Sequence, residues 1–427
     1  MKPGSNLLIK NVRIVDSKSK FNNQRADVFV KNGVYERIGT DIHANESVFT
    51  INGDNLTLIP GLFDFQVSCG EPGEEENETF ETLSAAALNG GVSGMLVMPS
   101  EHPHTENRGQ IEFKQQLCRH LAPDFRFAGF ISREGKGKTI SEMHDMRNGG
   151  ALAFTDNKLP SDNSLMIHLA MQYNSIAGGL LIFHAEDSGL RMGGIMHESK
   201  VSVQLGLKGT PSIAEETAVN KLLALAEYHH HPIHISGVSC KGSIDLISKA
   251  KKSGIPVTCS AFIQNLHFCD EDLGGFDSVL KVWPPLRGAD DRQALTDAVL
   301  DGTIDILCSD HIALSEERKE LEFAYASYGM AGIETLLQAA VSILGHENLP
   351  LITQSMCHTP RNLLGLNIYP ILEGGKADFV LLDPTIEVVI KPNELKSKGV
   401  NNPFANKTLM GEILGTYTSA GWFSRSF

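Results

Sequence analysis

No stretch of this chain stays apolar for long. Gly, Pro or a charge interrupts every hydrophobic run well before the ~18 residues a membrane-spanning helix needs. The first ten residues carry no apolar run of signal-peptide length, so a cytoplasmic location is expected. A basic excess is also missing: 37 Lys and Arg stand against 51 Asp and Glu, a net charge of −14. Nothing is available to neutralise many phosphates, which argues against nucleic acid or an anionic membrane surface as main partner. The seven cysteines (Cys69, Cys118, Cys240, Cys259, Cys269, Cys308 and Cys357) are odd in number and scattered, with no CxxC pair. A disulfide framework is excluded and a reducing compartment fits. Internal repeats, low-complexity tracts and long runs of one charge are absent too. What is present is 427 residues of ordinary globular composition, 41% hydrophobic and 21% charged. That length predicts one large domain and something smaller beside it.

The pattern along the chain changes twice. Short alternating runs over 7–15, 27–30, 35–38 and 55–59 read as strands. From Pro60 onward, apolar runs alternate with amphipathic stretches. The runs lie at 61–67, 94–98, 125–131, 152–155, 180–184, 233–236, 257–260 and 304–309, and helices are predicted over 79–88, 110–121, 165–173, 214–228, 243–251 and 291–300. Eight buried strands alternating with helices predict an α/β fold, a parallel (β/α)₈ TIM barrel. A doubly wound open sheet is the runner-up. After Leu364, strands return at 377–382, 385–390 and 410–418. The two strand-rich ends are therefore expected to join as one small β-sandwich domain, 1–58 with 365–427, around a barrel of 59–364. The acidic run from Glu71 to Glu78 reads as a solvated loop leading to a helix N-terminus. Gly90-Gly91, Gly149-Gly150 and Gly178-Gly179 read as helix C-caps.

Barrel enzymes place their chemistry at the C-terminal ends of the strands. Those ends carry Gln66, Ser68 and Cys69 after the first run, and Ser100, Glu101, His102 and His104 after the second. Asp156 follows the fourth, His184 and Glu186 the fifth, His234 and Ser236 the sixth. Ser260, Gln264 and Asn265 come with the seventh, Asp310 and His311 with the eighth. His184, His234 and Asp310 on three strand ends are the donor types a divalent metal such as zinc takes, and a strand-end Asp can also move a proton. His229, His230 and His231 fall at no strand end and read as a solvated helix terminus. Cys69 and Cys308 read as small hydrophobes packed under the barrel rim.

Ordered motifs then resemble one family over nearly the whole chain. They include Ile59-Pro-Gly-Leu-Phe-Asp64, Val97-Met-Pro99, His184-Ala-Glu-Asp187, Ile233-His-Ile-Ser236, Pro284-Pro-Leu-Arg287, Ser309-Asp-His311, Pro360-Arg-Asn-Leu-Leu-Gly365 and Gly374-Gly-Lys-Ala-Asp378. The chain resembles the class I dihydroorotases of the amidohydrolase superfamily. The resemblance implies a barrel with a flanking β domain and reversible cyclisation of N-carbamoyl-aspartate to dihydroorotate in pyrimidine synthesis. In that chemistry a metal-bound hydroxide attacks the ring amide and the strand-8 aspartate, here Asp310, shuttles the proton.

The departures fall on the chemistry. Where the family carries His-x-His, this chain has Gln66-Val67-Ser68, and neither an amide nor a hydroxyl replaces an imidazole as a strong ligand. The family's substrate-binding arginine is Gly70. Its Asn-Thr after Met-Pro is Ser100-Glu101, its asparagine before Pro-Pro-Leu-Arg is Trp283, and its last substrate-side histidine is Leu314. Asp156-Asn157-Lys158 replaces Asp-Asp-Gly. The residual ligand set is His184, His234, Asp156 and Asp310, so a binuclear zinc centre is not expected and one zinc is the most the set would hold. The favoured reading is a catalytically degenerate dihydroorotase homologue that acts structurally beside aspartate carbamoyltransferase, as a homo-oligomer, a dimer. The competing reading is an active cyclic-amide hydrolase with one metal on His184 and His234, Asp310 as acid and base, and His102 or His104 helping. A third is a binder or sensor whose pocket Trp283 and Gly70 have made flatter and less anionic.

Overall fold

The computed structural model describes residues 6–43, 48–100, 103–160 and 162–425. Glu101 and His102 lie outside the described residues.

Eight parallel strands follow one another in chain order around a barrel: Leu62–Val67, Val92–Val97, Asp124–Gly129, Ala153–Phe154, Leu180–His184, Ile233–Ser236, Val257–Phe262 and Ile306–Cys308. We number them barrel strands 1 to 8. Strands 1, 2, 5 and 6 are buried at every residue, so both their faces are covered and the polar Asp64, Gln66, His184, His234 and Ser236 are buried with them. Strands 8 and 1 meet through side chains and a short bridge. Ser309 donates to the Asp64 carboxylate from both its amide and its hydroxyl, and the Ser68 amide donates to the His311 carbonyl at 2.8 Å. Burial lifts the Asp64 carboxyl to about 6 against those donors.

The predicted helices form within a few residues of their expected bounds, as Phe80–Asn89, Arg108–Cys118, Ser164–Ala177, Ile213–His229, Lys241–Lys252 and Ala289–Leu300. Gly90, Gly149 and Gly178 sit at helix C-caps.

A second eight-stranded sheet, mostly antiparallel, draws strands from both ends of the chain. Its order is Gly421–Ser424, Thr408–Thr418, Phe379–Val389, Thr57–Pro60, Leu7–Ile14, Arg25–Lys31 and Val34–Gly39, with Phe49–Asn52 on the free side of Leu7–Ile14. Two details differ from expectation. The runs at 377–382 and 385–390 are one strand, whose register slips between Asp383 and Glu387. Pro384 cannot donate to the ladder there, and Asp383 instead accepts from the Thr385 amide at 3.0 Å. Phe49–Asn52 and Gly421–Ser424, four residues each, are too short to show a period. The sheet has its own core, where Phe379 stacks on Tyr417 at 5.1 Å. It is tied to the barrel side by a buried pair, Asp16 with His358 at 2.9 Å. Burial opposes ionisation of Asp16, yet hydrogen bonds from His358 and the Ile371 amide hold its carboxyl below the ordinary range.

The acidic run 71–78 is not uniformly solvated. Glu74 and Glu76 face Arg318 at the surface, whereas Glu78 is buried against His311 at 3.3 Å and takes the Lys398 amide at 3.2 Å. The chain folds back onto Glu78 from position 397, which no local pattern announces. All seven cysteines are buried.

Candidate functional site

The barrel mouth is organised around Asp310. It follows barrel strand 8 with φ of 53°, a left-handed conformation that costs a non-glycine residue energy and is found where surroundings impose it. Its carboxylate takes three side-chain donors. Gln66 Nε2, from barrel strand 1, reaches Oδ1 at 3.1 Å, Gln264 Nε2 reaches Oδ2 at 3.3 Å, and the Lys158 ammonium forms an ion pair with Oδ2. Lys158 also donates to the Trp283 carbonyl at 2.7 Å and lies 5.3 Å from the centre of the Phe262 ring. The Gln66 carbonyl accepts from Ser236 Oγ, so its amide is engaged at both ends. A continuous chain of contacts therefore runs Ser236–Gln66–Asp310–Lys158–Trp283 across the mouth. Burial still raises the Asp310 carboxyl to about 6, with Lys158 opposing that rise.

The two strand-end histidines lie at different heights. His184 is level with Ser236 in the strand register, and His234 sits two residues closer to the barrel floor. His234 Nδ1 meets Thr258 Oγ1 at 2.9 Å, Nε2 meets Ser260 Oγ at 3.1 Å, and the ring packs 4.8 Å from Phe65. Burial holds both imidazoles neutral, at about 3, with Lys158 and then Arg191 adding to the effect at His184 and Lys251 at His234. Asp156 is engaged by Ser132. Its carboxylate takes the Ser132 amide at 2.8 Å and the Ser132 hydroxyl at 2.7 Å, and burial raises its pKa. His104 lies half-buried with its ring 5.3 Å from Phe130, and Asn265 donates to the Pro285 carbonyl at 3.1 Å. His229 pairs with His168 at 2.9 Å at the end of its helix.

Ser68, Gly70, Ser100, Asn157 and Leu314 line a cavity of about 120 Å³ beside this network. Gly70 is held by packing: a Cβ there would stand 2.1 Å from the Glu74 carbonyl oxygen, so no larger side chain fits without moving the loop. Trp283 is buried under the Arg191 guanidinium, 3.7 Å above its ring, and Arg191 reaches Glu186 at 3.3 Å. Burial pushes the Glu186 carboxyl up to about 7, with Arg191 opposing. Lys158, Gln264, Ser236 and Arg191 carry this geometry. For Lys158 the sequence offered one signal, a cation four residues past barrel strand 4 where the resemblance led one to expect glycine.

A family model described as Dihydro-orotase-like matches residues 56–243. The dihydroorotase of Pelotomaculum thermopropionicum is 36% identical over 95% of both chains, and that of Acetivibrio thermocellus 35% identical over 96% of this chain and 97% of its own. The chain belongs to the dihydroorotase family. Solved structures show the same fold. The L-hydantoinase of Arthrobacter aurescens superposes with a TM-score of 0.86 at 23% identity, covering 99% of this chain and 96% of its own. The dihydropyrimidinase of Brevibacillus agri gives 0.83 at 20% identity over 98% and 95%. Dihydroorotases are metal-dependent hydrolases, generally of zinc. The residues at this mouth do not fit that pair of ions. Gln66 and Ser68 replace the imidazoles, the Gln66 amide is committed between Ser236 and Asp310, and an ammonium sits against the Asp310 carboxylate. Among the described residues, no three His, Cys, Asp or Glu side chains gather where one metal could be held. No helix among the described residues is long and apolar enough to cross a membrane.

Proposed function

We propose that this dihydroorotase-family chain does not carry out metal-assisted ring hydrolysis and serves as a structural partner of aspartate carbamoyltransferase in pyrimidine metabolism. One observation carries the first half. The Lys158–Asp310 ion pair occupies the mouth, so the carboxylate that would move a proton is neutralised by a fixed ammonium. Metal hydrolases work by lowering the pKa of bound water from 15.7 to about 7, and one lysine cation with two amides offers no open coordination position for that water. The second half rests on the family's place next to the transferase in the same pathway, a family-level argument. The one-metal hydrolase reading is disfavoured by His234, whose two nitrogens already meet Thr258 and Ser260.

Metal analysis of the purified protein alongside a dihydroorotate turnover assay tests the first half. Less than stoichiometric zinc and turnover at the level of the blank are expected. Stoichiometric zinc with turnover that vanishes in Asp310→Asn would overturn it. Co-purification from the native cells tests the second half: the transferase is expected in the complex, and its consistent absence would sink the partnership.

A further inference from the structure

On the face opposite the mouth, a larger cavity opens where the N-terminal ends of barrel strands 2 and 3 meet the second sheet. Its volume is about 320 Å³, at the lower edge of the ~300–1,000 Å³ of ordinary ligand pockets. Arg119, Arg126, Arg361 and Lys376 line it against two carboxylates, Asp124 and Asp378. That is a local excess of two positive charges in a chain whose net charge is −14.

The charged groups differ in how far they are already engaged. Asp124 pairs with Arg126 at 2.9 Å. Arg361 is buried and fully placed: Nη1 donates to the Gly61 and Cys357 carbonyls at 2.8 and 3.0 Å, and Nη2 to Ser93 Oγ at 3.1 Å. Asp378 Oδ2 lies 3.7 Å from Arg361 Nη2. Its other oxygen, Oδ1, is buried with no hydrogen-bond donor, although the residue is only 6% exposed. Gly61 packs against that oxygen, where a Cβ would stand 2.0 Å away. Arg119 and Lys376 remain exposed at the rim, and Tyr369 adds an aromatic ring to the wall.

We propose that this cavity binds a phosphomonoester of the size of a nucleoside monophosphate. A phosphomonoester brings about −1.5 to −2 charges at neutral pH, which matches the cationic excess, and charge-assisted contacts from arginine and lysine are its usual recognition.

Calorimetric titration of the full chain with the four nucleoside 5′-monophosphates and inorganic phosphate tests the site. At least one mononucleotide is expected to bind saturably, about tenfold or more tighter than inorganic phosphate, which fills far less of the cavity. The double variant R119A/K376A alters two exposed side chains, so its melting temperature should match the parent's while mononucleotide affinity falls about tenfold or more. Three outcomes would overturn the proposal: no saturable binding at millimolar concentration, binding untouched by R119A/K376A, or inorganic phosphate binding as tightly as the mononucleotides. None of these bears on zinc content or turnover at the mouth, so the two readings stand or fall separately.

Discussion

Lys158 and Asp310 form a buried ion pair, and its removal from one side should be costly. In Lys158→Met the Asp310 carboxylate keeps its amide donors but loses its counter-charge, and breaking a buried pair this way costs about 3–5 kcal/mol. The double variant K158M/D310N removes both charges, so it should recover a large part of that loss in chemical denaturation. Losses that simply add would show that the two residues are not coupled. The buried histidines give a separate reading in pH. His184 and His234 are held near 3 by burial, whereas in the unfolded chain they titrate near 6.5. Their neutral burial is fully compatible with the fold above pH ~6.5, and stability is lost as pH falls toward 3, because only the unfolded chain takes up the protons. Asp64, Asp310 and Glu186, raised by burial to about 6, 6 and 7, act in the opposite sense and favour the fold as pH falls through those values. The net slope of the parent is therefore mixed, and a variant isolates the histidine part. His234→Gln should be less stable than the parent at pH 8, with a gap that narrows at pH 5. An unchanged gap in melting temperature would show that His234 is not the neutral, buried ring described here.

Among the elements, the helix Phe80–Asn89 sets the edge of the mouth, because the loop with Gly70 and Glu78 runs directly into it. Thr79 caps it: its hydroxyl accepts from the Thr82 amide at 3.2 Å while Thr82 Oγ1 accepts from the Thr79 amide at 3.0 Å. Thr79→Ala should cost about 0.5–2 kcal/mol in thermal or urea unfolding; no measurable loss would mean the cap is replaced by water. The helices and the eight barrel strands were legible because burial on both faces leaves long apolar runs and amphipathic helices leave a 3.6-residue period. Phe49–Asn52 and Gly421–Ser424 were not, being four residues long, and the strand through Pro384 was split because proline marks an ending more often than a bulge.

At the scale of the whole molecule, the last strands hold the two sheets together. Within Thr408–Thr418, the Met410 amide donates to Ser342 Oγ at 2.7 Å and Thr416 Oγ1 to the Leu88 carbonyl at 2.7 Å. Beyond it, Arg425 reaches Gln338 at 3.1 Å, and Tyr417 and Trp422 belong to the sheet's core. Removing residues 408–427 would expose the edge of Phe379–Val389 together with that apolar core, and such edges aggregate. The truncated chain is expected in the insoluble fraction on expression, and a soluble monomer of native melting temperature would contradict the role given to these strands.

Periodicity was enough to predict the barrel and the sheet shared by both chain ends, because burial and hydrogen bonding impose repeats that a linear pattern keeps, while ordered motifs carried the resemblance to the family. That Gln66, Ser68 and Gly70 stand where the resemblance led one to expect two imidazoles and an arginine was equally plain, since it is a matter of residue identity. What filled the space was decided in three dimensions. Lys158 meets Asp310 across 152 positions of chain, Gln66 meets Ser236 across 170, and Glu78 meets Ser397 across 319. Asp156, read as a ligand, turns to Ser132 instead. A side chain's partner depends on which strand ends converge and which rotamers the packing leaves open, and neither has a period along the sequence.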